Sequence, residues 1–492
     1  MSLIKNIKID RSKIIEFSIV LTTLFLVVCI LYSKFITGNY IFGSGDYLAP
    51  KMISESIKNL TTMYGEFPYW LPSNFGGMPT IHSLQGISDY YMPNYIIQLF
   101  GLPGIWTQLI HLIFAGLGAY VLLRYLDVNF LTALFGGVMF LMTPYMNVCI
   151  VHGHGSQLMT AAYIPWVCWA LLKLSKTQNL KNLGLLGILL GFQLQRGHIQ
   201  IAYYTWLIIG IFVLYKLATS KFSLKFYSYL IGSTISGFLM AISIIWPSYI
   251  YSEHSIRGAG QGVENLSYFT DWSFSFSEMI TFIIPSYYGF GGATYWGTMG
   301  EHQTDFPNYL GVFVIIFTFY GLFKLYRNKN YIFFVVLTFF FLLLSMGKNF
   351  FLFDLLFNYM PFFNKFRAPM MALMVFQFGF IILAALGFNQ FIKNLNNHNN
   401  PRLFFKMFAA ISAILISILF IIIPSEKNII YSSEQLNELF QPIVKDMIYS
   451  DIYSLIFILL VALILFRILL YNTIKNNIVY KVIGITVISL SI

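Results

Sequence analysis

The chain has 492 residues, of which 58% are hydrophobic and 10% are charged, and its formal net charge is +11. A soluble globular domain carries about 25% charged residues. A chain this long and this apolar can bury its hydrophobic surface only in lipid, which excludes a soluble protein. The basic residues stand in short clusters between apolar runs, without a nucleic-acid-binding motif, so the charge indicates cytoplasmic loops rather than a nucleic-acid partner.

The first apolar run, residues 14–35, follows a basic segment that contains Lys5, Lys8 and Arg11. The run is long enough to span a bilayer, and no A-x-A-like cleavage site follows it. It therefore predicts an uncleaved first transmembrane helix rather than a signal peptide that is removed.

Further apolar runs recur along the whole chain and predict an all-α polytopic membrane protein with about 12 or 13 transmembrane helices. Short interfacial helices are expected in its outer-face loops. The predicted spans are 14–35, 105–124, 130–151, 157–174, 182–195, 199–217, 227–247, 308–325, 331–346, 369–391, 403–424, 452–471 and 478–492.

The turns between the spans alternate in charge. Every predicted inner turn holds at least one basic residue, which is the positive-inside pattern. Of the 19 acidic residues, all except Asp10, Glu16 and Asp127 fall in or beside the outer segments. The pattern predicts a multi-pass protein of the plasma (inner) membrane with a cytoplasmic N-terminus. The basic turns contain Arg124; Lys173, Lys176 and Lys181; Lys216, Lys221 and Lys225; Lys324, Arg327 and Lys329; Lys393, Arg402 and Lys406; and Arg467, Lys475 and Lys481.

Two outer loops, residues 36–104 and 248–307, are long and rich in aromatic residues. Loops of this length are usually functional or disordered, and the aromatic content argues against disorder. The first loop is expected to lie on the membrane surface. Aromatic side chains in it, with Tyr47 and Trp70 as the candidates, could stack on the faces of sugars.

Asp46 stands in "IFGSGDYLAP", about ten residues beyond the first span. Small residues before it allow the backbone to turn closely around a ligand. A carboxylate at the outer membrane surface can act as a general base toward a hydroxyl. The alternative is an aspartate that only caps a turn.

His152 and His154 form "VHGHGSQ" at an outer helix turn. A His-x-His pair can bind a metal, but only two ligands are local, so no metal is predicted. Contact with a polar head group or capping of a helix is favoured instead, and His154 is the substrate-binding candidate.

Arg196 and His198 stand in "LQRGHIQIAYY", and Arg367 stands in "PFFNKFRAPMMAL" beside Lys365. A charge at bilayer depth usually faces a cavity or a partner. Arginine also presents a planar fork that suits phosphate oxygens. The alternative is that these side chains only snorkel to the interface. Further candidates in the second outer loop are Glu253, His254, Arg257, Asp271, Glu301, His302 and Asp305.

Together these features suit a lipid-phosphate-linked sugar that is anchored in the membrane with its sugar outside. No nucleotide-binding motif is present, so neither ATP nor a nucleotide sugar is predicted as a cofactor or donor.

The chain resembles the bacterial YfhO-like membrane proteins, which belong to the GT-C class of polytopic glycosyltransferases. The resemblance covers roughly the first 390 residues. It is carried by "GSGDYLAP", "FPYWLPSNFGGMPTIHSLQGISDYYMPN", "HLIFAGLGAYVLLRYL", "GHGSQLMTAAYIPWVCWAL", "GFQLQRGHIQIAYY" and "FNKFRAPMMAL".

The resemblance implies transfer of a sugar from a polyprenyl-phosphate-linked donor to an envelope glycan or polymer on the outer face. It implies Asp46 as catalytic base, although the paired acidic motif of the class is absent, and Arg367 and Arg196 as ligands of the lipid phosphate. It divides the chain into a catalytic membrane module, residues 1–391, and C-terminal helices, residues 392–492. YfhO-like proteins are often longer, so the C-terminal part is expected to be either a fragment or a form without a further domain.

Two alternatives stay open. A lipid-linked sugar transporter or flippase without chemistry would need buried charges near the midplane and preferably inverted repeats. A structural subunit of an envelope-assembly complex would need neither. The charges cluster at one face of the predicted bundle, which favours the enzyme.

Overall fold

A computed structural model describes residues 11–220, 223–255, 266–290, 294–296, 308–396, 406–410, 412–417, 436 and 438–471. The structure is 75% helical. Its only strands within the described residues are β1 (Trp70–Leu71) and β2 (Met78–Pro79), which form a short antiparallel hairpin with Trp70 opposite Pro79.

Besides the helical residues 406–410 and 412–417, eighteen α-helices have both ends within the described part of the chain. They are α1 (Arg11–Leu31), α2 (Gly45–Tyr64), α3 (Met92–Gln98), α4 (Trp106–Tyr125), α5 (Phe130–Leu141), α6 (Pro144–Val151), α7 (Gly155–Ala161), α8 (Ile164–Lys176), α9 (Leu180–Gln195), α10 (Ile199–Thr219), α11 (Leu224–Met240), α12 (Ile242–Ser252), α13 (Leu266–Thr270), α14 (Val312–Leu325), α15 (Lys329–Ser345), α16 (Leu352–Tyr359), α17 (Leu373–Asn396) and α18 (Gln441–Tyr471). Short 3-10 turns lie at Ile81–Ser83, Ile87–Tyr90, Ser277–Phe282, Gly347–Asn349, Phe363–Lys365 and Pro369–Ala372.

Seven helical segments of the described chain are long and apolar enough to cross a membrane. Each overlaps a predicted span, which confirms the all-α polytopic class of fold, although the last begins at Gln441 rather than at the predicted residue 452. These segments are Arg11–Leu31, Trp106–Tyr125, Phe130–Val151, Gly155–Lys176, Ile199–Thr219, Pro369–Asn394 and Gln441–Ile464.

The other predicted spans are bent, short or outside the described residues. The pair α11 and α12 is bent by 78° and makes an eighth span if it is counted as one. Helices α9, α14 and α15 have 16, 14 and 17 residues, fewer than the about 20 that a perpendicular span needs. Of the predicted span 403–424, residues 406–410 and 412–417 are described and are helical, whereas 478–492 lies wholly outside the described residues.

Hydrogen bonds at helix ends show that α1 and α4 run antiparallel. At one end, Trp106 Nε1 donates to the carbonyl of Ile36 at 2.9 Å. At the other end, Arg124 Nε lies 2.8 Å from Glu16 Oε1. We call the first end the Asp46 face, because Asp46 follows α1 there, and the second the Arg124 face.

Basic turns that are far apart in the sequence share the Arg124 face. Lys176 at the end of α8 places its ammonium 4.5 Å from the centre of the Tyr125 ring, next to Arg124. The carbonyl of Lys329, at the start of α15, accepts a hydrogen bond from Tyr215 Oη near the end of α10 at 2.7 Å. Basic turns at the ends of α4 and α8 therefore lie together, as do those at the end of α10 and the start of α15.

Glycines allow the helices to approach closely. A Cβ on Gly116 of α4 would lie 2.9 Å from the carbonyl oxygen of Gly137 of α5, and a Cβ on Gly387 of α17 would lie 2.0 Å from the carbonyl oxygen of Phe317 of α14. Helices in lipid associate through such close packing, because the lipid removes the hydrophobic drive for their contact. The resulting core is continuous from α1 to α18.

Candidate functional site

The turn between α6 and α7 packs directly against the start of α2. Gly153 in this turn has a φ of +85°, and a Cβ there would lie 2.3 Å from the backbone N and Cα of Tyr47 and 2.4 Å from the carbonyl carbon of Asp46. Only glycine fits this contact and this backbone conformation. The turn therefore fixes Asp46 beside the histidine that follows Gly153.

Asp46 and His154 form a pair on the Asp46 face. Asp46 Oδ2 lies 3.2 Å from His154 Nε2, and the two side chains are 76% and 38% exposed. Ser44 Oγ donates to the carbonyl of Val151 at 3.3 Å and ties the two segments together just before Asp46. An exposed pair adds little to stability. A carboxylate and an imidazole in contact can instead accept a proton from a hydroxyl that is bound beside them.

Tyr47 and Trp70, the two aromatic candidates, occupy different settings. The Tyr47 ring makes an edge contact with Phe42 at 5.8 Å, and burial raises the pKa of the Tyr47 phenol. Trp70 lies in β1 and is 55% exposed. Its indole packs against Gly77, where an added Cβ would lie only 2.5 Å from the ring. Tyr47 is thus beside the Asp46–His154 pair through its backbone, whereas the contacts described for Trp70 lie within its own hairpin.

Arg196 is buried just beyond the end of α9, with only 4% of its surface exposed. Its guanidinium carbon lies 4.5 Å from the centre of the Tyr91 ring. Among the described residues, no hydrogen-bond acceptor reaches Nε or Nη1. Burial lowers the pKa of Arg196, but an arginine keeps its charge in proteins. Buried charges are usually paired, so this guanidinium is suited to an anion that the described residues do not supply.

Tyr91 is also part of a buried hydrogen-bond chain. Its hydroxyl lies 2.8 Å from His111 Nε2 and contacts the hydroxyl of Tyr163. His111 Nδ1 lies 2.6 Å from the carbonyl oxygen of Thr107. We call Arg196, Tyr91, His111 and Tyr163 the Arg196 cluster.

Contacts connect the Arg196 cluster to the Asp46–His154 pair. A Cβ on Gly155, next to His154, would lie 2.8 Å from the side-chain nitrogen of Gln108, one turn before His111 in α4. Gln108 Oε1 is buried without a hydrogen-bond partner among the described residues. The exposed pair and the buried cation therefore lie on adjoining parts of the Asp46 face.

The cluster also meets the first long loop. Ile87, four residues before Tyr91, packs against Gly197, the residue after Arg196. A Cβ added to Gly197 would lie 2.0 Å from Ile87 Cδ1. The sequence singled out neither Tyr91 nor His111 nor Tyr163. The available signal was His111, a polar side chain within the predicted span 105–124, because such a residue needs a partner.

His198 caps α10: its Nδ1 accepts a hydrogen bond from the backbone N–H of Ile201 at 3.4 Å. Capping accounts for a polar residue at this position. Nearby, Gln193 donates to Thr205 Oγ1 at 2.8 Å, and Gln195 donates to the carbonyl of Met240 at 3.0 Å. The predicted polar region around Arg196 is therefore largely an internal network.

Arg367 is half-buried just before the 3-10 turn Pro369–Ala372. Its Nη1 donates to Tyr268 Oη at 3.0 Å, and its guanidinium carbon lies 4.7 Å from the centre of the same ring. Its carbonyl accepts a hydrogen bond from Gln200 Nε2 at 2.6 Å, and the same nitrogen donates to Tyr204 Oη at 2.9 Å. Gln200 thereby links the start of α10 to the Arg367 segment.

The second long loop is only partly described. Arg257, Glu301, His302 and Asp305 lie outside the described residues, whereas Glu253, His254 and Asp271 lie within them. The loop also contains Glu278, a buried acid that the sequence did not single out. Its carboxylate accepts from the Ser275 N–H at 2.8 Å and from Tyr295 Oη at 3.2 Å, so it holds the loop together.

His152 and His154 lie close together, with ring centres 6.3 Å apart. Within the described residues, no group of three or more His, Cys, Asp or Glu side chains is arranged to hold a metal ion. The described residues of this face include a carboxylate, imidazoles, tyrosine hydroxyls and a buried arginine.

Comparison with known proteins gives no match, either to a family model or to a curated sequence. The fold and the site define a multi-pass, all-α membrane protein with a polar site at one end of its helix bundle. The resemblance to the YfhO-like family stays a prediction that rests on the quoted motifs.

Proposed function

We propose that the protein is a membrane glycosyltransferase that moves a sugar from a polyprenyl-phosphate-linked donor to an envelope acceptor. The observation that carries the proposal is the Asp46–His154 pair, 3.2 Å apart, on the same face as the buried Arg196, whose Nε and Nη1 have no acceptor among the described residues. A base and an anion site together are what displacement of a phosphate by a hydroxyl needs.

In the proposed reaction, the acceptor hydroxyl oxygen attacks the anomeric carbon, and the bond from that carbon to the phosphate oxygen breaks. The hydroxyl proton passes to the Asp46–His154 pair. The lipid phosphate leaves with both electrons of the broken bond, and Arg196 balances the negative charge that develops on it. Arg367 is the weaker candidate for this last role, because Tyr268 already accepts a hydrogen bond from it.

We place the Asp46 face on the outside of the plasma membrane, which puts the N-terminus in the cytoplasm. The support is the grouping of Arg124, Lys176 and Lys329 at the opposite end, because basic turns stay inside. A cysteine introduced at Ser73 should react with an impermeant thiol reagent in intact cells, whereas one at Asn328 should not. Labelling of Asn328→Cys from outside contradicts this placement.

The activity is tested with Asp46→Asn in membranes that contain the full chain. The assay follows transfer of a labelled hexose from a panel of polyprenyl-phosphate hexoses to the membrane acceptor. General-base catalysis contributes typically about 10²–10⁴-fold, so transfer should fall by that factor while donor binding survives. If Asp46 serves only the first turn of α2, where Ser44 is the N-cap residue, asparagine should replace it at little cost and transfer should stay within a few-fold.

Asp89→Asn is the matched control. Asp89 is an exposed aspartate of the same loop, and its described hydrogen bond uses its backbone carbonyl, which accepts from Tyr95 Oη at 2.8 Å. Transfer by this variant should equal that of the wild type. Unchanged transfer by Asp46→Asn removes Asp46 from the chemistry. Movement of the donor across the membrane without any transfer by the wild type favours the transporter.

A further inference from the structure

Arg196 is held by an aromatic ring rather than by a carboxylate. Its guanidinium stacks on Tyr91, and no ion pair to it is formed within the described residues. A cation–π contact attracts a cation without neutralising it, whereas a carboxylate would do both. The Tyr91 ring therefore stabilises the position of Arg196 and leaves its charge available.

The Tyr91 ring is held in turn by a chain of hydrogen bonds in which the donor and the acceptor of each bond can be assigned. The Thr107 carbonyl can only accept, so the His111 Nδ1 next to it carries a hydrogen. A charged His111 would add a second unpaired cation beside Arg196, which is costly in a buried site, so Nε2 is the bare nitrogen. Nε2 then accepts from the Tyr91 hydroxyl, and the Tyr91 oxygen is left to accept from Tyr163.

This chain links α4 and the α7–α8 break to the start of α3. Tyr91 is the residue directly before α3 and is 1% exposed, while His111 and Tyr163 are each 3% exposed. A phenylalanine at position 91 would keep the ring but lose both hydrogen bonds. The hydroxyl of Tyr91 thus orients the ring, and the ring orients Arg196.

We propose that Tyr91 and His111 are positioning residues that hold Arg196 as an unneutralised cation for the phosphate of a polyprenyl monophosphate lipid. This inference rests on the proposed function. A phosphate oxygen supplies the acceptor that Nε and Nη1 of Arg196 lack. A carboxylate in place of the Tyr91 ring would compete with that phosphate for the guanidinium of Arg196, whereas the ring does not.

The test measures binding of a short-chain polyprenyl monophosphate to the full-length protein in nanodiscs. Arg196→Ala should weaken binding by at least about 30-fold. Tyr91→Phe keeps the ring but loses the two hydrogen bonds that orient it, and should weaken binding by about fivefold. Tyr91→Leu also removes the cation–π contact and should weaken it by about 30-fold. His111→Leu should resemble Tyr91→Phe, and His111→Gln should recover part of the loss, because its amide oxygen can accept from Tyr91.

Two controls separate positioning from general damage. Tyr95→Phe removes a tyrosine hydroxyl from α3 that bonds only the backbone of Asp89, so phosphate-lipid binding should not change. Binding of the matching polyprenol, which lacks the phosphate, should be equal in wild type and all Tyr91 and His111 variants. A merely structural role would weaken both lipids together. Inorganic phosphate at millimolar concentration should displace little of the lipid, since the chain of the lipid supplies most of the affinity.

Each outcome decides a different point. Loss of phosphate-lipid binding in the Tyr91 and His111 variants, with polyprenol binding retained, supports the inference. Wild-type binding by Tyr91→Leu beside a loss in Arg196→Ala overturns the positioning role and keeps the phosphate site. Wild-type binding by Arg196→Ala overturns both. Tyr91→Phe is the smallest of these changes, so it carries the test if Tyr91→Leu does not fold.

Discussion

Arg196 and Arg367 lie in similar settings that differ in burial and in hydrogen bonding: Arg196 is buried, whereas Arg367 is half-buried. Each guanidinium stacks on a tyrosine, at 4.5 Å from Tyr91 and 4.7 Å from Tyr268. Arg367 also donates a hydrogen bond to its tyrosine, whereas Arg196 donates none from Nε or Nη1 to any described residue. The sequence ranked the two arginines equally as phosphate ligands. The structure distinguishes them, because only Arg196 has guanidinium nitrogens, Nε and Nη1, that are buried without an acceptor among the described residues.

The largest effect that tests this comparison is on binding of the donor lipid. Removing a cation that pairs with a buried phosphate costs about 2–5 kcal/mol, so Arg196→Ala should weaken binding by that amount. Arg367→Ala should cost about 1 kcal/mol or less, because its guanidinium is half-buried and already has an acceptor. Both losses are measured by titrating polyprenyl-phosphate hexose into nanodiscs that contain each variant. Equal losses in the two variants would abolish the distinction.

The second effect is on stability without ligand, and it should have opposite signs at the two positions. Arg196→Met removes an unpaired buried charge, which should raise the free energy of unfolding by about 1–2 kcal/mol. Arg367→Met loses a hydrogen bond and a cation–π contact, which should lower it by about 1–2 kcal/mol. Thermal unfolding in one detergent, without added lipid, compares the two. A lower midpoint for Arg196→Met would mean that the site is satisfied within the chain.

Much of the fold follows from the sequence, because hydrophobic length and the placement of charge act locally. The seven long spans and the basic Arg124 face were predicted from those features alone. The breaks within 130–151 and 155–176 were not, although Pro144 stands at the first helical position after one of them. The 78° bend between α11 and α12 was not predicted either.

The sequence predicted several residues of the site, but it did not predict which of them contact each other. Asp46 and His154 were both candidates, yet they are 108 positions apart, and their contact requires Gly153 to lie against the backbone of Tyr47. Arg196 was a candidate, but Tyr91 read as one more aromatic residue in an interfacial loop. His198 illustrates the reverse case, since its helix cap explains it without a ligand.

The smallest effect concerns Gln200. It tests whether this residue is coupled to Arg367, which its side chain contacts, or to Arg196, which is closer in the sequence. Gln200 follows Arg196 by four positions, but its side chain donates to the carbonyl of Arg367 and to Tyr204. Gln200→Leu leaves that carbonyl without this donor and should lower the free energy of unfolding by about 1–2 kcal/mol. If contact decides, the change should also loosen the segment that presents Arg367 and leave Arg196 in place.

A double-mutant cycle on lipid binding distinguishes the two cases. Gln200→Leu combined with Arg367→Ala should show a coupling energy of at least about 0.5 kcal/mol, because Gln200 holds the backbone from which the Arg367 side chain projects, so the two changes are not independent. Gln200→Leu combined with Arg196→Ala should be additive within about 0.5 kcal/mol, because these two side chains share no described partner. The reversed pattern, with coupling to Arg196 alone, would mean that the start of α10 serves the buried cation. Arg196 and Arg367 would then have to be treated as parts of one phosphate site rather than as a ligand and a structural anchor.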